Sequence, residues 1–365
     1  MASRLAIALK NAPLLLRGMY EYNISSRFGP LRPREWMFPV TYRCNARCVM
    51  CNIWQSPKAD ELSTEQWVPI LDDRLFAGVE SVNLTGGEPT LRRDLPQLAQ
   101  LLIDKLPALR RLTLTTNALD TKRVIDHCHQ LGTLCAAHGI SYFVGVSLDG
   151  VGALHDEMRG IPGAFQKAEK TLEELQLLQK QDLLRTGVNC TLTSTNLHDA
   201  EHVSKWCSER ELAVNFILAS FAEDYYANAE AQADLGFTAQ QRQTLLGLLH
   251  RLAARRSLGN PAAYFYADAE RMIGEGAERT TPCVFQKDAF ILDALGDLQY
   301  CVYSRKLGNV TEESAADLYY APHNLEHRQH LIADECEDCT VTCFLELGLA
   351  KDALKYLGFL LGRRP

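Results

Sequence analysis

This sequence predicts a parallel α/β fold followed by a small cysteine-rich module, and two observations carry that prediction. From Trp36 to about Phe221, short apolar or β-branched runs alternate six times with longer stretches of helical periodicity, which is the signature of repeated strand–helix units. Near Pro282 the composition changes, and five of the twelve cysteines fall in the last quarter of the 365 residues. A chain of this length has room for one large domain and a smaller module. The expected organisation is an amphipathic segment (1–35), an α/β core (36–235), a helical connector (236–282), the cysteine-rich module (283–345) and a C-terminal amphipathic helix (346–365).

The expected strands are Met37–Thr41, Ser81–Thr85, Arg111–Thr116, Tyr142–Leu148, Gly187–Thr193 and Val214–Ala219, each short and apolar or β-branched. Helical periodicity separates them over Thr64–Ala77, Leu95–Leu106, Thr121–His138, Ala164–Lys180 and Asp199–Glu209. Thr64 offers an N-cap to the first helix, Asp199 a better one to the fifth, and Thr238 one to a further helix over Gly236–Arg256. Six units are too few to close an eight-stranded barrel, which leaves a partial barrel or an open sheet. Ligand chemistry in such folds gathers at the carboxyl ends of the strands.

A net charge of −7 argues against a general nucleic-acid binder. A secreted disulfide scaffold would be shorter and would lack these long helical patterns, so the cysteines point to a reducing cytoplasm with thiolates kept for metal. No apolar run reaches the length of a membrane span. Met1–Tyr22 is apolar with Arg4, Lys10 and Arg17 interspersed, and Leu345–Pro365 is a second amphipathic stretch ending in Arg363 and Arg364. Such basic, amphipathic ends either pack on the domain surface or lie in a lipid interface, here the inner face of the membrane.

Directly after the first strand comes Cys44-x3-Cys48-x2-Cys51. Three thiolates on one short loop can hold three irons of a cubane [4Fe–4S] cluster and leave the fourth iron open to a small ligand. Zinc is the competing reading, but it takes four ligands, usually from paired arms. The second strand runs into Thr85-Gly86-Gly87-Glu88-Pro89-Thr90, where glycines allow close backbone approach and a carboxylate can accept from an ammonium group. Thr115-Thr-Asn117 follows the third strand. Ser147-Leu-Asp149-Gly150 follows the fourth, with His155-Asp-Glu-Met-Arg159-Gly160 beyond it, and Asn189 lies on the fifth. Serine and aspartate suit ribose hydroxyls, and arginine suits a carboxylate.

Taken together, the Cys44, Cys48, Cys51 spacing, Gly86-Gly-Glu-Pro89 and Ser147-Leu-Asp-Gly150 resemble the radical S-adenosylmethionine superfamily over residues 36–221. The resemblance implies a partial (β/α)6 barrel and a cluster on Cys44, Cys48 and Cys51 that binds S-adenosylmethionine. Its reductive cleavage gives a 5′-deoxyadenosyl radical that abstracts a substrate hydrogen atom. It further implies that Gly86, Gly87 and Glu88 meet the methionine amino group, that Ser147 and Asp149 contact ribose or methionine, and that Asn117, Arg159 and Asn189 also line the cofactor site. The family's usual aromatic residue before the third cysteine is Met50 here.

A second signal lies in Cys283-x17-Cys301, with Gly296 five residues before Cys301, and in Cys336-x2-Cys339-x3-Cys343. It is similar to the SPASM/Twitch extension of the same superfamily, which implies one auxiliary [4Fe–4S] cluster. Cys283, Cys301, Cys336 and Cys339 are the preferred ligands, with Cys343 either replacing one of them or serving as a free thiol and hydrogen donor. Cys128, Cys135, Cys190 and Cys207 sit in helix or strand positions and read as buried small hydrophobes. The expected activity is oxidation of a small molecule, with a flavodoxin or ferredoxin as reductant. The alternatives are redox-neutral epimerisation, peptide modification (about 35 residues ahead of the barrel are few for a peptide-recognition domain), and a non-catalytic metal-binding protein.

Overall fold

The computed structural model describes residues 16–56 and 61–365. Its central strand β1 (Glu35–Thr41) is buried on both faces, as expected of a strand with parallel neighbours on either side. β2 (Ser81–Gly86), β3 (Arg111–Thr116), β4 (Ser141–Ser147), β5 (Arg185–Leu192) and β6 (Val214–Leu218) each pair parallel with the strand before. Between them run α1 (Thr64–Ile70), α2 (Leu95–Lys105), α3 (Thr121–Ala137), α4 (Ala153–Arg159), α5 (Ala164–Lys180) and α6 (Ala200–Glu209). β7 (Ala289–Leu292) adds parallel to the other side of β1, and β8 (Asp297–Gln299) and β9 (Gly308–Asn309) follow antiparallel. The sheet order is therefore β6-β5-β4-β3-β2-β1-β7-β8-β9, a partial parallel barrel with β6 and β9 at its ends.

An aromatic core fixes β1 in this sheet. The Trp36 ring stacks on Phe38 with centroids 4.3 Å apart and lies 5.7 Å from Phe290 of β7, with Trp67 and Phe76 closing the cluster. The Trp36 indole N–H donates to the Leu292 carbonyl at 3.0 Å, so its one polar group is satisfied in the core. Pro39 is tolerated inside β1 because the pairing with β7 ends at Met37 and the register with β2 shifts between Pro39 and Thr41.

Two expected caps are placed differently. Ser63, not Thr64, caps α1 in a reciprocal box with Gln66, while Thr64 donates to Asp94 at 2.6 Å. Asp199 does not cap α6 with its side chain; it accepts from the Val151 N–H at 2.7 Å and pairs with His202. Thr238 does accept from the Gln241 N–H.

The chain divides into two compact units that are not consecutive segments. The barrel unit is 33–241 with 289–331. The second unit, among the described residues, is 16–32, 242–288 and 332–365. The boundaries expected at 283 and 345 are thereby corrected. Ala289–Leu292 is wholly apolar and buried, and it extends the main sheet beside β1, so it and Cys301 belong to the barrel unit while Cys283 belongs to the second. Most of the expected connector and the C-terminal segment belong to the second unit, where Ala263, Tyr264, Leu349 and Phe359 form a core. The expected C-terminal helix is two helices, Leu345–Lys351 and Ala353–Leu360, interrupted at Asp352. Among the described residues no helix is long and apolar enough to cross a membrane. The expectation for residues 1–15 lies outside the described residues.

Candidate active site

The loop that carries Cys44, Cys48 and Cys51 leaves the carboxyl end of β1, and the segments that follow β4 and β6 fasten its backbone. The Arg47 and Val49 N–H groups donate to the Arg159 and Met158 carbonyls at the end of α4, at 2.9 and 3.0 Å. Gly160 lets this happen: its φ is +63°, and a Cβ there would lie 2.4 Å from the Arg47 carbonyl oxygen. On the other side, the Asn228 amide donates to the Met50 carbonyl at 2.7 Å, and the Asn52 N–H donates to Tyr226. Arg47 lies over the Trp54 ring at 4.4 Å. The three thiols are free and half-buried. Burial pushes Cys44 up to about 11 and Cys51 to about 12, and the Arg159 guanidinium works against that rise. A positively charged centre would displace those protons.

Two side chains point at the sulfurs. An Arg159 Nη donates to Cys48 Sγ at 3.4 Å, and the Asn117 amide lies 3.7 Å from Cys44 Sγ and donates to Asn45 at 2.8 Å. Arg159 is itself held by Asp149, Nη to Oδ2 at 2.6 Å, with both side chains nearly inaccessible. Burial opposes the guanidinium charge, but Asp149 together with the Cys48 and Cys44 sulfurs outweighs burial, so Arg159 stays charged. The other Asp149 oxygen accepts from the Thr191 N–H at 2.8 Å, and the Asp149 N–H donates to His155 Nδ1 at 3.0 Å. Burial, then Arg159, lowers His155 to about 3, so it is a neutral support. Asp149 is thus turned into the chain, where it positions Arg159.

Glu88 is also buried. It accepts from Thr90 N–H and Oγ1, from Thr116 Oγ1 at 2.9 Å and from the Asn117 N–H at 2.7 Å. Burial raises its carboxyl despite these donors. The two glycines before it are required by the chain itself. A Cβ on Gly86 would lie 2.4 Å from the Thr41 carbonyl oxygen, and one on Gly87 2.2 Å from that of Arg43. They bring the end of β2 against the end of β1, which aims Glu88. Ser147 and Asn189 stand opposite each other in register on β4 and β5. The Asn189 amide occupies the space a Cβ on Gly145 would need, 2.5 Å away. Met50 packs with Met158 and Leu235, against Cys48 and Phe221. Asn228 carries no signal in the sequence, and His155 and Gly160 stand in the stretch around Arg159 with no role assigned there. Only the left-handed glycine after an apparent helix end carried a readable signal, because the other two act through tertiary contacts.

The second unit gathers Cys283, Cys336, Cys339 and Cys343. Cys283 lies within electrostatic reach of each of the other three thiols, and Cys339 of both Cys336 and Cys343. Burial raises Cys339 to about 11 and Cys343 to about 12. Arg279 laces the segment together, donating to the Cys339 and Val341 carbonyls at 2.9 Å and to Thr281. The Tyr22 hydroxyl donates to the Cys283 carbonyl at 3.0 Å. Cys301 belongs to the barrel unit, after β8. Gly296 takes φ +86° at the β7–β8 turn. Cys128, Cys135, Cys190 and Cys207 are in the core. Among the described residues no three His, Cys, Asp or Glu side chains converge as one metal ion requires.

Asp268 supports the second unit, accepting from the N–H and hydroxyl groups of both Thr280 and Thr281 and pairing with Arg271. Burial raises its carboxyl, but the bonds from Thr281 and Arg271 outweigh burial and hold it below the ordinary value. A depressed folded-state pKa contributes stability above the unfolded value, lost as pH falls toward the folded one. Stability is therefore expected to decline below about pH 4, and Asp268→Asn to flatten that decline in denaturant titrations across this range.

The Radical SAM superfamily model matches residues 38–207. Fe-coproporphyrin III synthase of Methanosarcina barkeri is 31% identical over 175 residues, 47% of this chain and 40% of that protein. AdoMet-dependent heme synthase of Oleidesulfovibrio alaskensis is 27% identical over 271 residues, 73% of this chain and 66% of that protein. The chain thus spans less than two thirds of the length of either relative. Native anSMEcpe with bound AdoMet and Kp18Cys peptide superposes with a TM-score of 0.62 at 16% identity, covering 91% of this chain and 100% of that one; at that identity the likeness is one of fold.

Proposed function

Residues 38–207 belong to the radical S-adenosylmethionine superfamily, and from that premise we propose that the chain is an enzyme oxidising a small molecule at a [4Fe–4S] cluster on Cys44, Cys48 and Cys51. When bound, the cluster and S-adenosylmethionine supply a 5′-deoxyadenosyl radical that takes a hydrogen atom from the substrate. The observation that carries the reading is the cysteine loop at the end of β1 with Arg159 and Asn117 aimed at two of its sulfurs.

The residues divide the work. Arg159 places a fixed positive charge beside Cys48 and donates to its sulfur. Asn117 donates toward Cys44. Glu88, aimed by Gly86 and Gly87, offers its carboxylate to the methionine ammonium group, and Ser147 and Asn189 offer half-buried polar groups to the rest of the cofactor. Met50 gives the adenine an apolar neighbour in place of an aromatic ring.

Cys283, Cys336, Cys339 and Cys343 fit an auxiliary [4Fe–4S] cluster, which takes four thiolates and would accept the second electron of a substrate oxidation. The position of Cys343 within electrostatic reach of Cys283 and Cys339 favours a ligand role over that of hydrogen donor. Small-molecule chemistry is supported by relatives named as heme and Fe-coproporphyrin III synthases. The second reading, peptide modification, draws on the peptide bound to anSMEcpe.

The test is anaerobic reconstitution, iron and sulfide counting, and assay of 5′-deoxyadenosine with dithionite and S-adenosylmethionine. About eight irons per chain, as two cubanes require, are expected together with cleavage. Cys343→Ala is expected to hold only about four irons and to keep cleavage; an unchanged iron count there, with a loss in Cys301→Ala, would replace Cys343 by Cys301 in the ligand set. Zinc without cleavage would move the chain to the non-catalytic class.

A further inference from the structure

The second unit carries an exposed apolar surface that nothing within it covers. Residues 16–23 are helical, and Leu16, Tyr20 and Ile24 recur every fourth residue with Phe28 beyond them. They are 66%, 57%, 46% and 87% exposed. The opposite side of the same helix is committed inward, through the Tyr22 hydroxyl on Cys283 and the Asn23 amide, which donates to the Lys351 carbonyl at 2.8 Å. That last bond fastens the N-terminal helix to the end of helix Leu345–Lys351. Just beyond, helix Ala353–Leu360 buries Phe359 and turns Leu354 and Leu357 outward, with Leu361 following at 83% exposed. Eight of the twelve large exposed hydrophobic residues of the described chain lie in this smaller unit. Clustered apolar exposure of this kind marks an interaction surface.

Charge identifies the occupant. The whole chain is at −7, yet residues 1–32 hold Arg4, Lys10, Arg17, Arg27 and Arg32 against Glu21 alone. Residues 353–365 hold Lys355, Arg363 and Arg364 and no acidic residue. Arg27, Arg32 and Arg363 are exposed beside the apolar side chains. Two copies meeting through this face would set like charges against each other. An anionic lipid surface instead takes both features, apolar side chains into the acyl boundary and arginines onto the headgroups. We propose that the terminal helices of the second unit dock the protein on an anionic phospholipid membrane, lying in its interface without crossing it.

The experiment is co-sedimentation of the full-length, iron-loaded protein with vesicles of phosphatidylcholine alone or mixed with phosphatidylglycerol. Binding is expected on the mixed vesicles and is expected to weaken with salt. Phe28→Ser with Leu361→Ser should reduce it on mixed vesicles at least tenfold. Arg363→Ser with Arg364→Ser should weaken it about tenfold, on phosphatidylglycerol vesicles only. Unchanged iron content and circular dichroism in these variants certify the fold. Absence of binding, equal binding to both vesicle types, or a dimer in light scattering that Phe28→Ser with Leu361→Ser makes monomeric would each overturn the proposal. These readouts do not depend on the reaction catalysed, so the proposal stands or falls separately from it.

Discussion

Cys51→Ala is expected to bring 5′-deoxyadenosine formation to background and to lower iron by about four per chain, one cubane. Cys51 closes the Cys44–Cys48–Cys51 set, and its N–H donates to the Cys48 carbonyl at 3.2 Å, a backbone bond that shapes the loop. Alanine there keeps the backbone and removes only the sulfur. Cys128→Ala supplies the control: its sulfur is wholly buried in the barrel core and accepts a bond from Tyr142, and both iron content and cleavage should be retained. Normal turnover in Cys51→Ala would sink the cluster assignment, whatever happened at the second cysteine group.

The second large effect is expected at Asp149, whose side chain is closed off from solvent and pairs with Arg159. Asp149→Ala leaves the Arg159 charge buried without its partner, which costs about 3–5 kcal/mol in comparable cases. It also frees the guanidinium to move from Cys48 Sγ. Denaturant unfolding reads the first consequence, and the electron paramagnetic resonance spectrum of the reduced first cluster reads the second. Asp149→Leu with Arg159→Met separates them. Removing both charges should restore most of the stability, because an apolar pair of similar size replaces a buried ion pair at little cost, while the altered spectrum should persist. A double variant with the original spectrum would reduce the pair to a packing device.

Much of the barrel was legible in the residues because it rests on local rules. The six parallel strands follow from short apolar runs at regular spacing, and Arg111–Thr116 and Ala164–Lys180 keep the expected bounds without change. The Cys44–Cys51 loop was legible for the same reason, since its ligands lie within eight residues of each other. The capping of α1 was misread by one residue because Ser63 and Thr64 are both good caps, and only the contact of Thr64 with Asp94 decides between them. The direction of Asp149 was not legible either. Serine–leucine–aspartate at a strand end looks like a ligand site until Arg159, ten residues on, turns back to meet it.

By itself, then, the sequence determined what is written in neighbouring residues: the strand–helix alternation, the cysteine spacing and the charge of the two ends. Tertiary structure decided whatever depends on residues far apart in the chain. It placed Ala289–Leu292 at the edge of β1, because a short apolar strand is stabilised most where a parallel partner and the aromatic core around Trp36 and Phe290 bury it. It showed which backbone each glycine approaches: Gly86 that of Thr41, Gly87 that of Arg43 and Gly160 that of Arg47. And it set Tyr22 against Cys283, 261 residues away, leaving the opposite face of that helix apolar and exposed.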